Sequence, residues 1–110
     1  MKLIIGIVQD EDSTDVIEAL TEENYRVTKL ATTGGFLKSG NTTLMVGIEE
    51  EKVQSVIDII KEICKQRTEI LVTPTTLGGS EGGYMQQYPV QISVGGATIF
   101  VLDVDQFIKI

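Results

Sequence analysis

Residues 50–67 constrain the fold more than any other stretch. Val53, Val56, Ile57, Ile60, Ile63 and Cys64 recur at helical spacing and form one wide apolar stripe. Glu49, Glu50 and Glu51 crowd the start, and Lys61, Lys65 and Arg67 crowd the end, which is the arrangement the helix macrodipole favours. The predicted helix runs from about Glu50 to Arg67. A helix that is apolar on one side only must lie on another apolar layer, so the remaining segments have to supply one.

They do so as strands. Lys2 to Gln9, "KLIIGIVQ", is apolar throughout and reads as a strand buried on both faces. Asp12 is a suitable N-cap for a helix over Ser13–Glu23, with Val16, Ile17, Ala19 and Leu20 at helical spacing. Asn24 to Thr32 alternates, with Tyr25, Val27, Lys29 and Ala31 on one face and Asn24, Arg26, Thr28 and Leu30 on the other. Thr42 to Ile48 alternates again, with Leu44, Val46 and Ile48 forming its apolar face. After the second helix come a short strand over Thr68–Thr73 and a long glycine-rich loop from Pro74 to Pro89. Two further strands, Val90–Val94 and Ala97–Val104, flank Gly95-Gly96, a hairpin signal. The order predicts an α+β fold, a ferredoxin-like βαββαβ sandwich with extra C-terminal strands, in one domain spanning residues 1–110. Apolar runs such as "LIIGIV" and "ATIFVL" leave the second sheet face needing cover, which association with other copies would supply.

Composition narrows the chemistry. The net charge of −7 disfavours nucleic acid polymers and anionic membranes as partners, although a local basic cluster still suits a small anion. There is no histidine and one cysteine, Cys64, which excludes Ser-His and Cys-His nucleophile pairs and argues against a zinc site or any other metal centre. No disulfide can form within the chain, and the N-terminus reads as a strand, not a signal peptide, so a cytoplasmic protein is expected. Cys64 falls on the apolar stripe and reads as a buried structural thiol. The carboxylates around Glu49–Glu51 read as a solvated helix start. Tyr84, Met85 and Tyr88 either form a partner surface or anchor their loop.

The segment "NYRVTKLATTGGFLKSGNTTLMVG" carries the candidate site. Asn24, Arg26 and Thr28 stand at period two, and Gly47 sits in the interior of the partner strand, where glycine often marks the close approach of a ligand. Together they would make a polar floor for a phosphorylated ligand, if they are not simply a solvated outer face. In the link, Gly34 and Gly35 free the backbone, Phe36 and Leu37 offer apolar surface for a base, and Asn41 offers both a donor and an acceptor. A bulged hairpin loop with Phe36 in the core explains the same residues, and both readings stand on chemistry alone.

That segment, with "IIGIVQDED" before it and "VGGATIFVLDVDQF" after it, resembles the PII-like cyclic di-AMP receptor family of Gram-positive bacteria nearly end to end. The resemblance implies a homotrimer of ferredoxin-like subunits that binds cyclic di-AMP in clefts between subunits and signals by loop rearrangement to a protein target it does not identify. It implies no enzyme activity and no cofactor. Carried over, the ligand-binding residues are Asn24, Arg26, Val27 and Thr28 from the second strand, and Gly35, Phe36 and Leu37 from the link. Asn41 and Gly47 complete the site, and Gly96 comes from a neighbouring subunit. The region 74–89 lacks lysine and arginine and contains Glu81, so the ATP site of PII proteins does not carry over. Two alternatives remain: a ferredoxin-like trimeric enzyme working on a small nucleotide or acid in the same cleft, and a trimeric module that binds only protein.

Overall fold

The computed structural model describes residues 1–33, 40–75 and 86–110. Strand β1 (Lys2–Gln9) is the centre of a four-stranded antiparallel sheet of order β2-β3-β1-β6, where β2 is Thr28–Thr33, β3 is Asn41–Ile48 and β6 is Ala97–Asp103. Helices α1 (Asp10–Glu22) and α2 (Val53–Ile63) pack on each other and on this sheet. Strands β4 (Arg67–Thr75) and β5 (Gln86–Val94) form a separate two-stranded sheet. The α+β architecture is therefore consistent with the ferredoxin-like expectation, with one correction. The added strands lie between α2 and the last sandwich strand, not at the C-terminus, so Ala97–Asp103 is the strand that closes the sandwich beside β1.

Alternation sorts the side chains. Ile4 and Val8 of β1, Leu44, Val46 and Ile48 of β3, Val16 and Leu20 of α1, and Val56 and Ile60 of α2 form the buried core with Cys64. Leu3, Ile5 and Ile7 point to the other side of β1, where they are only half-buried. The expected double burial of β1 is thus met on one face. On the other, Ile5 pairs with Met45 and Phe100, Leu3 pairs with Leu102, and Phe100 and Leu102 are exposed.

Several boundaries move for identifiable reasons. α1 begins at Asp10, directly after β1, with Gln9 at the N-cap position. Asp12 is therefore not the cap but a buried residue of the first turn. Its Oδ1 accepts a hydrogen bond from Arg67 Nη2 at 2.7 Å, while Oδ2 is buried without a partner. α1 ends in a Schellman turn: Asn24 is left-handed (φ 64°), its N–H donates to the Thr21 carbonyl, and the Tyr25 N–H donates to the Leu20 carbonyl, both at 2.9 Å. Asn24 is therefore a helix-terminating residue, and β2 starts only at Thr28. A register shift between Lys29 and Thr32 breaks the expected alternation further along β2. Beyond β3, a 3₁₀ turn over Glu50–Lys52 precedes α2, and Cys64 ends it, so the expected single helix to Arg67 is shorter at both ends.

Gly95 and Gly96 do not turn a hairpin. They carry the chain from the β4–β5 sheet into β6, both at positive φ (95° and 89°). The Gly95 N–H donates to Gln9 Oε1 at 2.7 Å, and the Gly96 N–H donates to the Cys64 carbonyl. A Cβ at Gly95 would lie 2.2 Å from the Lys65 carbonyl oxygen, whereas one at Gly96 meets nothing closer than the Gln66 side chain at 3.6 Å. The two substitutions should therefore separate in a urea-unfolding experiment. Gly95→Ala is expected to lose about 3 kcal/mol or more from strain plus clash, and Gly96→Ala about 1–2 kcal/mol from strain alone. Equal losses would place the strain elsewhere.

Candidate functional site

The sequence-selected residues fall into two groups at opposite ends of the sheet. At one end the turn after α1 and the first residue of β2 bring Arg26 and Thr28 beside Gly47 of β3. These three line a cleft of about 480 Å³ that is closed below by Leu3 and Met45. Thr28 pairs with Met45, and Gly47 with Leu3, which fixes this corner by strand register. A second recess of about 250 Å³ shares Arg26 and Gly47 and adds Asn24. Four residues chosen from sequence thus meet on one continuous concave surface. Val27 lines neither recess: its side chain packs against the core, leaving only its backbone available at this corner.

Gly47 is informative because the fold does not require it. Its φ lies outside the left-handed region, and a Cβ there would meet nothing within 4 Å. A glycine that costs strand stability with no internal packing reason keeps the cleft open.

The cleft is locally basic in an acidic chain. Arg26 is exposed and has no carboxylate partner among the described residues. Lys109 lines the same cleft and makes no ion pair among the described residues. Lys109 and Phe107, which is 64% exposed, belong to the C-terminal segment, and sequence reading missed both. They follow the last strand with no periodicity, so only their residue types, an aromatic and a cation, hinted at them. The segment is held beside Met1 by the Val104 N–H, which donates to the Met1 carbonyl at 3.2 Å, and by the Lys2–Asp103 ion pair. Lys2 draws the Asp103 carboxyl below its usual range, chiefly through their hydrogen bond.

Asn41 and Gly96 are brought together at the other end, in a cleft of about 510 Å³ that also contains Gln9, Gln66 and Thr98. Asn41 pairs with Gln9 and Gly47 with Leu3, so the two groups stand six residues apart along β1, roughly 20 Å at the rise of a strand. Gly35, Phe36 and Leu37 lie outside the described residues, as do Tyr84, Met85 and the side chain of Tyr88.

Cys64 lines a neighbouring recess with Gly96, Ala97 and Ile99 and is 3% exposed. Burial pushes its thiol up to about 11; the Asp12 carboxylate adds to the rise, and Arg67 opposes it. The buried structural thiol read from the sequence is what the structure holds.

A family model described as "Cyclic-di-AMP receptor" matches residues 1–110, the whole chain. Among solved structures, one described as a functionally unknown protein from Pediococcus pentosaceus ATCC 25745 is 48% identical. The match covers 99% of this chain and 96% of that chain, with a TM-score of 0.76.

Two outcomes are expected. Gly47→Ala should leave the melting temperature unchanged or slightly higher, because alanine at an unstrained glycine position gains about 0.4–1 kcal/mol through the unfolded chain. A clear drop on thermal unfolding would mean that Gly47 serves the fold. Iodoacetamide should modify Cys64 only slowly in the native protein below about pH 9, and rapidly once urea exposes it. Fast native-state labelling followed by mass spectrometry would contradict the buried thiol.

Proposed function

The chain belongs to the cyclic-di-AMP receptor family, and from that premise we propose that it is a non-catalytic receptor whose dinucleotide site is completed where two protomers meet. The observation that carries this reading is the separation of the two residue groups. Arg26, Thr28 and Gly47 lie around one cleft and Asn41 and Gly96 around another, at opposite ends of the same sheet. Juxtaposing the first cleft of one protomer with the second of its neighbour gathers all of them around one ligand. The half-exposed apolar face of β1, β3 and β6, with Ile5, Met45 and Phe100 side by side, is the surface such an assembly would cover. A homotrimer closes the arrangement with identical contacts.

In this reading Arg26 and Lys109 face the phosphodiesters with charge-assisted hydrogen bonds, which contribute about twice as much as neutral ones. Asn24 and Thr28 orient the ligand, the missing side chain at Gly47 admits it, and Leu3, Met45 and Phe107 supply apolar surface for an adenine. Val27 contributes its backbone, and Gly35, Phe36 and Leu37 close over the base from the link after β2. No bond is broken. Among the described residues the carboxylate on this surface is Glu49, in the recess that adds Asn24, and it does not line the cleft that holds Thr28 and Lys109. Ligand contact at Asn41 and Gly96 bears on the segments next to them, the link before β3 and the crossing into β6, and biases their conformations toward or against a protein target. No described helix is long and apolar enough to cross a membrane, and the reading places the receptor in the cytoplasm.

The test combines assembly and affinity. Sedimentation should give a trimer, and calorimetry should give saturable binding of cyclic di-AMP that is recovered intact on chromatography. Arg26→Ala should weaken binding by about 1.5–3 kcal/mol, a loss of roughly ten- to a hundredfold. A monomer that binds the dinucleotide with full affinity would refute the shared site, and unchanged affinity in the variant would remove Arg26 from it.

A further inference from the structure

Helix α1 carries a charge pattern that its own stability does not explain. From Asp10 to Glu23 the sequence contains seven carboxylates and no lysine or arginine. Two of them, Glu22 and Glu23, stand at the C-terminal end, where the helix dipole disfavours negative charge and no basic residue offsets it. The carboxylates near the start suit the dipole, but those near the end do not.

Glu23, the last of them, borders a groove of about 690 Å³ between α1 and α2. Its apolar lining is Ala19, Ile59 and Ile63, all half-buried, and its charged rim is Glu23, Asp58 and Glu62, all exposed. The only cation paired with this rim among the described residues is Lys65, 2.9 Å from Glu62. Asp58 accepts a hydrogen bond from Gln54 within the same helix at 2.9 Å and keeps its charge exposed. The groove lies away from the Arg26 cleft but touches it through one side chain. Tyr25, set between Asn24 and Arg26, passes its hydroxyl to Ser55 Oγ in the groove lining at 3.0 Å.

We infer that this groove docks a basic amphipathic helical segment of a partner protein, with apolar side chains over Ala19, Ile59 and Ile63 and lysines or arginines against Glu23, Asp58 and Glu62. An apolar trough edged by one sign of charge takes an amphipathic helix of the opposite sign, because burial gives the affinity and the rim gives orientation. A second copy docked groove to groove does not suit it, since that twofold contact would set this acidic rim against itself. Nucleic acid and anionic lipid are repelled by the same carboxylates. Because the groove and the dinucleotide cleft are separate surfaces, the docking stands whether or not the ligand site is as proposed.

The experiment uses the full chain and a short fluorescein-labelled leucine–lysine peptide with its leucines at helical spacing, followed by fluorescence anisotropy at physiological salt. The expected result is saturable binding that Asp58→Asn with Glu62→Gln weakens about tenfold. Glu50→Gln with Glu51→Gln removes the same charge from another surface and should change it by less than about twofold. Ile63→Gln, checked for retained melting temperature, should weaken binding as the rim pair does. Equal weakening by both charge pairs, or equal binding of a scrambled peptide of the same composition, would overturn the proposal, because either result means general attraction to an acidic protein. Absence of measurable binding by the unaltered chain would overturn it as well.

Discussion

The structure depends on a mismatch between one strand and the cover available to it. β1 is apolar on both faces, but both α-helices among the described residues lie on the face defined by Ile4 and Val8. The other face keeps Leu3, Ile5 and Ile7 beside Met45, Phe100 and Leu102. Water contact with so much adjacent apolar surface is unfavourable, and the proposed association would relieve it on the same strand that organises the core. The candidate ligand residues are arranged around the two ends of this face, and the proposed shared site would answer the same packing problem.

Glycine serves three different ends in one small domain. At Gly95 it is sterically required, because the backbone of Lys65 occupies the space of a side chain. At Gly96 it is conformationally required by the left-handed backbone, with room to spare. At Gly47 neither reason holds, and the open space beside it is the candidate cleft. The first two position β6 next to β1; the third leaves a surface for something outside the chain. The crossing is fastened from several directions, by Gln9 on Gly95, by the Cys64 carbonyl on Gly96, and by the Asp12–Arg67 pair at the start of β4. The pair joins a buried carboxylate to a guanidinium that is 37% exposed, so solvent screens part of its attraction while the orphaned Asp12 Oδ2 keeps a desolvation cost.

Charge is segregated by layer. The helices α1 and α2 carry half of the acids, and the corner of the sheet that holds Arg26 and Lys109 is basic although the chain totals −7. Local arrangement, not net charge, decides what an anion meets as it approaches, because fields from exposed charges fall off within about 10 Å at ordinary salt. One small protein therefore presents a basic corner and, elsewhere, an acidic trough.

The local terms were legible in the sequence. The stripe from Val53 to Cys64, the alternation of Leu44, Val46 and Ile48, and the grouping of Arg26, Thr28 and Gly47 all survive in the structure, because period and side-chain chemistry act over a few residues. What failed had a competing cause that no local pattern displays. Asn24 was read into a strand, but the C-terminus of α1 needed a left-handed residue there. Asp12 was read as a cap, but Arg67, distant in sequence, drew it inward. Gly95-Gly96 was read as a hairpin, but its two flanking strands belong to different sheets. The sequence by itself determined the element types, the core face and the choice of Arg26, Thr28 and Gly47 as neighbours. Only tertiary structure decided which ends of the sheet those residues occupy, which strand closes beside β1, and that Phe107 and Lys109 return to the cleft, because strand order and chain return are set by contacts between residues far apart in the chain.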